Sequence, residues 1–154
     1  MSEIEGRIRA ALKTAMKERD QVALGTLRLM NAAIKDRSIA LRGAEGEGRV
    51  DDAEVVSILG RMVKQRRESA RAYEEGGRLE LAAEEEAEIE VIERFLPRRL
   101  TEEETHAAID AAVAETDASS IRDMGRVMGV LKARHAGRMD FSAVGPMVKT
   151  RLAG

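Results

Sequence analysis

Cysteine is absent from this chain of 154 residues, and so is tryptophan. Without thiols there is no disulfide framework, no thiolate nucleophile and no cysteine-based metal site, a composition that fits a reducing cytoplasm. Aromatic residues make up only 2 % of the chain, so any core is built from Ala, Leu, Val, Ile and Met. Only two prolines occur, Pro97 and Pro146, which leaves long segments free of helix breakers. No stretch approaches the roughly 18 apolar residues of a membrane span, so no membrane partner is expected. The opening MSEIEGRIRA is acidic and lacks an apolar run, so no signal peptide is expected either. Catalytic signatures are missing too. There is no Gly-rich phosphate loop, no nucleophile elbow and no Ser-Lys pair. The two histidines, His106 and His135, are far apart and outside any ligand spacing, so no metal, cofactor or catalytic residue is expected. Glu84-Glu85-Glu86 reads as an exposed face rather than an acid–base pair. The net charge is only −2, so contact with a polyanion would have to come from local patches.

What is present is helical. Charged residues make up 35 % of the chain and apolar ones 44 %, and no segment sustains strand-like alternation. Ser2 with Glu5 forms a capping box, followed by Ile4, Ile8, Leu12 and Met16 on one expected face. Asp20 is the next N-cap, and Leu24, Leu27, Met30 and Ile34 carry a second helix to about Leu41. The GAEGEGR segment, with Gly43, Gly46 and Gly48, reads as a flexible loop. Asp51 with Glu54 opens a third helix, marked by Val55, Leu59, Met62 and Tyr73 and stopped at Gly76-Gly77. A fourth, from about Leu79 to Phe95, carries Ile89, Ile92 and Leu96 and an acidic outer face. Beyond Pro97, Thr101 to Glu104 is a further capping box, with Ile109 and Val113 as the core face of its helix. Ser120 with Asp123 caps another helix to Arg134, which Gly137 stops. Asp140 caps the last, with Phe141, Val144, Val148 and Leu152 apolar and Pro146 in its first turns or cutting it short. The expectation is an all-α protein. Residues 1–97 form a long-helix bundle or hairpin, and residues 98–154 a small three-helix domain.

Three features suggest contact with nucleic acid, and each has a plain structural alternative. Lys64, Arg67 and Arg71 share one helix face and can track phosphates. The segment from Glu80 to Glu93 carries seven Glu and no base, and an antiparallel neighbour could absorb that stripe. Gly125 and Gly129, one turn apart, cost helix propensity. Either they permit close helix packing, or they bare the backbone to RNA beside Arg126. From Ile121 onward seven bases, among them Arg122, Arg126, Lys132, Arg134 and Arg138, face two acids, a local excess suited to a polyanion or to docking on the acidic fourth helix.

At these residues the chain resembles the GatB/YqeY family. The resemblance rests on Ala15-Met16-Lys17, Leu24-Gly25-Thr26-Leu27-Arg28-Leu29-Met30 and Ala32-Ala33-Ile34-Lys35. It continues through Lys64-Gln65-Arg66-Arg67-Glu68-Ser69, Tyr73, Gly77-Arg78 and Phe95-Leu96-Pro97. Its most specific mark is Asp123-Met124-Gly125-Arg126-Val127-Met128-Gly129 with Gly137-Arg138. The family is named for the tail domain of the aspartyl/glutamyl-tRNA amidotransferase B subunit and its free-standing homologues. The resemblance implies an all-α fold and a part that engages tRNA while amide transfer happens elsewhere. It also implies a family-level association with carbon–nitrogen ligase activity that uses glutamine as amido donor. After Gly137-Arg138 the family pattern often runs Ala-Asp-Gly, whereas this chain has Met139-Asp140-Phe141. The combined expectation is a cytoplasmic accessory protein for tRNA or another structured RNA, without a catalytic site. Its RNA contacts would be Arg122, Arg126, Lys132, Arg134 and Arg138, with Gly125 and Gly129 permitting close approach and Lys64, Arg67 and Arg71 extending the surface. The alternatives are a non-catalytic subunit supporting amidation with amidotransferase-type partners, and a protein-interaction adaptor.

Overall fold

The structure, a computed structural model, describes residues 2–45 and 48–154. Among these there are seven α-helices and one 3-10 turn, and no strand. The helices are α1 (Glu3–Glu18), α2 (Gln21–Glu45), α3 (Asp52–Glu75), α4 (Leu79–Glu93), α5 (Glu102–Thr116), α6 (Met124–His135) and α7 (Phe141–Ala153), with the 3-10 turn at Ile121–Asp123. The protein is all-α. It divides into two compact units, one up to Leu96 and one from Pro97.

In the first unit α1 to α4 surround one core, and α3 and α4 have the most extensive contact. Local chemistry sets the helix starts. Ser2 and Glu5 close a full capping box on α1. Asp20 Oδ1 accepts from the Ala23 amide at 3.1 Å and so caps α2. Asp51 Oδ1 accepts from the Glu54 amide at 2.8 Å, while the Glu54 carboxylate takes Arg37 at 3.1 and 3.3 Å. Leu24, Leu27, Met30 and Ile34 are buried, as are Val55, Leu59 and Met62 of α3 and Ile89 and Ile92 of α4. Thr26, polar but fully buried, is satisfied by donating its hydroxyl to the Val22 carbonyl at 2.9 Å. Arg7 donates to the Arg94 carbonyl at 2.9 Å and lies over the Phe95 ring, tying α1 to the end of α4.

Two expectations for this unit are corrected. Met16 is 56 % exposed, and Ala15 takes its place in the core. Steps of four residues overshoot the helical turn by about 40° each, so a series starting at Ile4 rotates off the buried face by its third step. Helix α2 also runs on through Gly43 to Glu45 rather than ending near Leu41. Ser38 Oγ donates to the Gly48 carbonyl, and Gly48, at φ 63°, leaves room for the Arg42 stem. Of the expected glycine loop, Gly46 lies outside the described residues.

In the second unit α5, α6 and α7 enclose Ile109, Val113, Val127, Leu131, Val144, Val148 and Leu152. Pro146 sits inside α7 without ending it. The Asp140 side chain caps α7 through the Ser142 amide at 3.0 Å.

Candidate nucleic-acid interface

The solvent-facing side of α6 brings together four of the expected contact residues. Gly125, Gly129 and Lys132 follow one another on α6 at offsets of four and three, which places them on one strip, and Arg122 lies in the 3-10 turn just before it. All four are exposed. A Cβ built on Gly125 or Gly129 would meet nothing within 4 Å, so neither glycine serves close helix packing, and that expectation is overturned. The strip is bare helical backbone with Lys132 near one end and Arg122 on the turn that leads into the other. Arg122 and Lys132 form no ion pair among the described residues. His135, in the last turn, is held below the ordinary imidazole value by burial first, then by Arg138 and Arg134.

The other expected contacts are engaged within the fold. Arg126 bonds Asp123 and donates to the Thr116 carbonyl at 3.1 Å, bracing the 3-10 turn against the end of α5. Arg134 pairs with Glu115 and Arg151 with Asp110, the latter at 3.0 Å, so α5 neutralises part of the basic excess seen from Ile121 onward. The stripe on α3 meets its acidic neighbour: Arg67 pairs with Glu93 at 3.1 Å and Arg66 with Glu88 at 3.5 Å. Lys64 is exposed, as is Arg71, which has no ion pair among the described residues. The structure therefore does not gather Lys64, Arg67 and Arg71 into one open phosphate track.

Arg138 acts as a strut. Its Nε donates to the Arg98 carbonyl at 2.8 Å, and its own carbonyl accepts from the Leu100 amide at 3.0 Å. Arg98 in turn grips Glu104 with two bonds of 3.0 and 2.9 Å. Glu104 also accepts from the Thr101 amide at 3.1 Å, completing the capping box of α5. The Arg98 bond, then the backbone bond, holds the Glu104 carboxyl at about 2, below its ordinary 4.5. A depressed carboxylate adds stability that is present above the unfolded value and is lost as pH falls through the folded one. Glu104→Gln is thus expected to lower the melting temperature at pH 7, with the difference from wild type closing between about pH 4.5 and 2. Thermal melts of both proteins across that range check this, and a difference independent of pH refutes it.

Among the described residues no three His, Cys, Asp or Glu side chains are grouped as a metal site requires. Among the described residues no helix is long and apolar enough to cross a membrane. The sequence does not point to a polar cleft in the first unit, with a volume of about 880 Å³. Its cations lie on two helices and on the segment before α3, and spacing within either helix does not show them facing one another.

The chain has relatives among known proteins. Two fungal relatives are named altered inheritance of mitochondria protein 41, mitochondrial. The one from Saccharomyces cerevisiae is 27 % identical over 89 residues, covering 58 % of this chain and 46 % of that protein. The one from Meyerozyma guilliermondii is 40 % identical over 86 residues, covering 55 % and 42 %. The chain thus spans less than half the length of the relatives it matches. A family model described as Yqey-like protein matches residues 5–152, almost the whole sequence, and the chain belongs to the YqeY-like family.

Proposed function

We propose that this protein is a non-catalytic accessory protein that engages tRNA or another structured RNA through the exposed face of α6. The observation that supports this best is the open glycine strip between Arg122 and Lys132. Glycines in a helix with nothing packed on them have no packing role, yet they carry a propensity cost. Backbone exposed between two uncommitted cations suits the close approach of a sugar–phosphate chain. The link to tRNA and to glutamine-dependent amidation rests on the resemblance to the amidotransferase tail domain. A cytoplasmic location, expected from composition, belongs to the same reading, although the fungal relatives are mitochondrial by name.

Fluorescence anisotropy against tRNA over a salt series tests this. Binding is expected to weaken steeply as salt rises. Arg122→Ala/Lys132→Ala should weaken it about tenfold and reduce the log–log salt slope by about 1.5, near the value for two lost phosphate contacts. Arg126→Ala/Arg134→Ala should do less, because those side chains are already paired. No binding at low salt, or an unchanged slope in the first variant, refutes the proposal.

That internal pairing favours a second reading, an adaptor that docks protein rather than RNA. With Arg67, Arg126, Arg134 and Arg151 all taken up by acids, much of the apparent positive surface is neutral. A pull-down that returns one protein at fixed stoichiometry, with no RNA, decides for it.

A further inference from the structure

The polar cleft of the first unit brings cations from two helices, without ion pairs among the described residues, to one concavity. It lies between α1 and α2, is closed at one end by Gly48 to Asp52, and has Ile34 in its lining. Arg49 lines it from the segment before α3, and its three helical cations are Arg9 from α1 and Lys35 and Arg42 from α2. None of the three has an ion pair among the described residues. Asn31, on the same wall, adds an amide donor.

The acids of the lining are committed to backbone. Glu5 accepts from the Ser2 amide at 3.4 Å. Asp51 accepts from the Glu54 amide at 2.8 Å, and Asp52 from the Ile4 amide at 3.1 Å. Each of these bonds serves a helix start or joins α3 to α1. These bonds fix the three carboxylates without neutralising them, so the lining is mixed, with the four cations Arg9, Lys35, Arg42 and Arg49 beside three acids. The Arg42 stem lies where a side chain at Gly48 would have to stand. The volume falls within the usual range of roughly 300–1,000 Å³ for small-molecule pockets, and the walls are too polar for an apolar ligand.

We infer that this cleft binds a phosphate-bearing small molecule of about nucleotide size, with Arg9, Lys35 and Arg42 as its phosphate ligands. Arginine grips phosphate oxygens with two parallel bonds and lysine adds a point charge, so cations from two helices can hold one anion between them. The site is separate from the α6 strip and does not depend on it.

Titration of the isotope-labelled full chain with inorganic pyrophosphate, followed by amide chemical shifts, tests the inference. Saturable shifts are expected at Asn31, Lys35, Gly48 and Val50, and Arg9→Ala/Lys35→Ala should weaken binding at least tenfold. Both substituted side chains are exposed, so that variant is expected to fold, and its undisturbed amide spectrum is the control. Arg122→Ala/Lys132→Ala should leave pyrophosphate binding unchanged. Shifts that do not saturate, that spread over all basic surfaces, or that persist in the Arg9/Lys35 variant overturn the inference. A parallel titration with an RNA hairpin separates the two sources of phosphate. If the cleft amides respond to RNA and not to pyrophosphate, the small-molecule assignment is wrong.

Discussion

Leu131→Ala is expected to unfold most of the C-terminal unit at physiological temperature while the fold of α1 to α4 persists. Leu131 is 1 % exposed, and it is the largest fully buried side chain in a core otherwise made of Val, Ile, Ala and a second Leu. Truncating a buried Leu to Ala costs about 2–5 kcal/mol, from lost transfer energy and the cavity left behind. A core on the scale of this unit rarely supplies more than about 3–5 kcal/mol in total. The two figures are equal in size, so one substitution consumes the margin. Leu59→Ala, in the larger core of the first unit, removes a similar amount from a larger reserve and should leave a folded protein with a lower melting temperature. Hydrogen exchange read by peptide separates the two cases. Amides of 102–153 should lose protection in Leu131→Ala, and those of 52–93 should keep theirs. Full protection in both segments would mean that the small core is better buttressed than its composition implies.

The parts of this architecture visible in the sequence are those governed by contacts a few residues long. Ser2, Asp20, Asp51 and Thr101 cap helices because a short side chain need reach only two or three residues ahead, and that relation is written in the order of residues. The buried faces of α2, α5 and α7 follow the same logic over longer spans. Two helix ends were hidden because the usual marker is missing. Arg19 and Asp117 adopt the left-handed conformation, at φ 57° and 54°, where glycine is the ordinary signal. The candidate interface was legible as a set of residue types but not as a set of free charges. Whether Arg134 is open or spent depends on Glu115 across the α5–α6 contact, and Arg151 depends likewise on Asp110. Partners so far apart in the chain meet only through tertiary packing, so a count of bases after Ile121 overstates the charge that a ligand meets.

Replacing Gly125 and Gly129 together by Ala is expected to stabilise the protein and weaken its RNA binding, a combination that few structural roles can produce. Both residues lie in α6 with negative φ, and the methyl groups would project into open space. Alanine exceeds glycine in an exposed helix interior by about 1 kcal/mol, partly by restricting the unfolded chain. Gly129 should show most of that gain, and Gly125, in the first turn, less. A total of 1–2 kcal/mol corresponds to a rise of about 10 °C in melting temperature for a unit of this size. If the glycines are kept because RNA lies against the bare backbone, two methyls on that strip hold the phosphates away, and affinity should fall several-fold although no charge has changed. The salt slope then separates this from loss of a cation. It should stay near the wild-type value in the alanine variant and drop in Arg122→Ala/Lys132→Ala. A stabilised protein that binds tRNA as tightly as wild type would mean that the strip is not the contact. The cost of two helical glycines would then have to be explained by a partner other than RNA that approaches α6 closely.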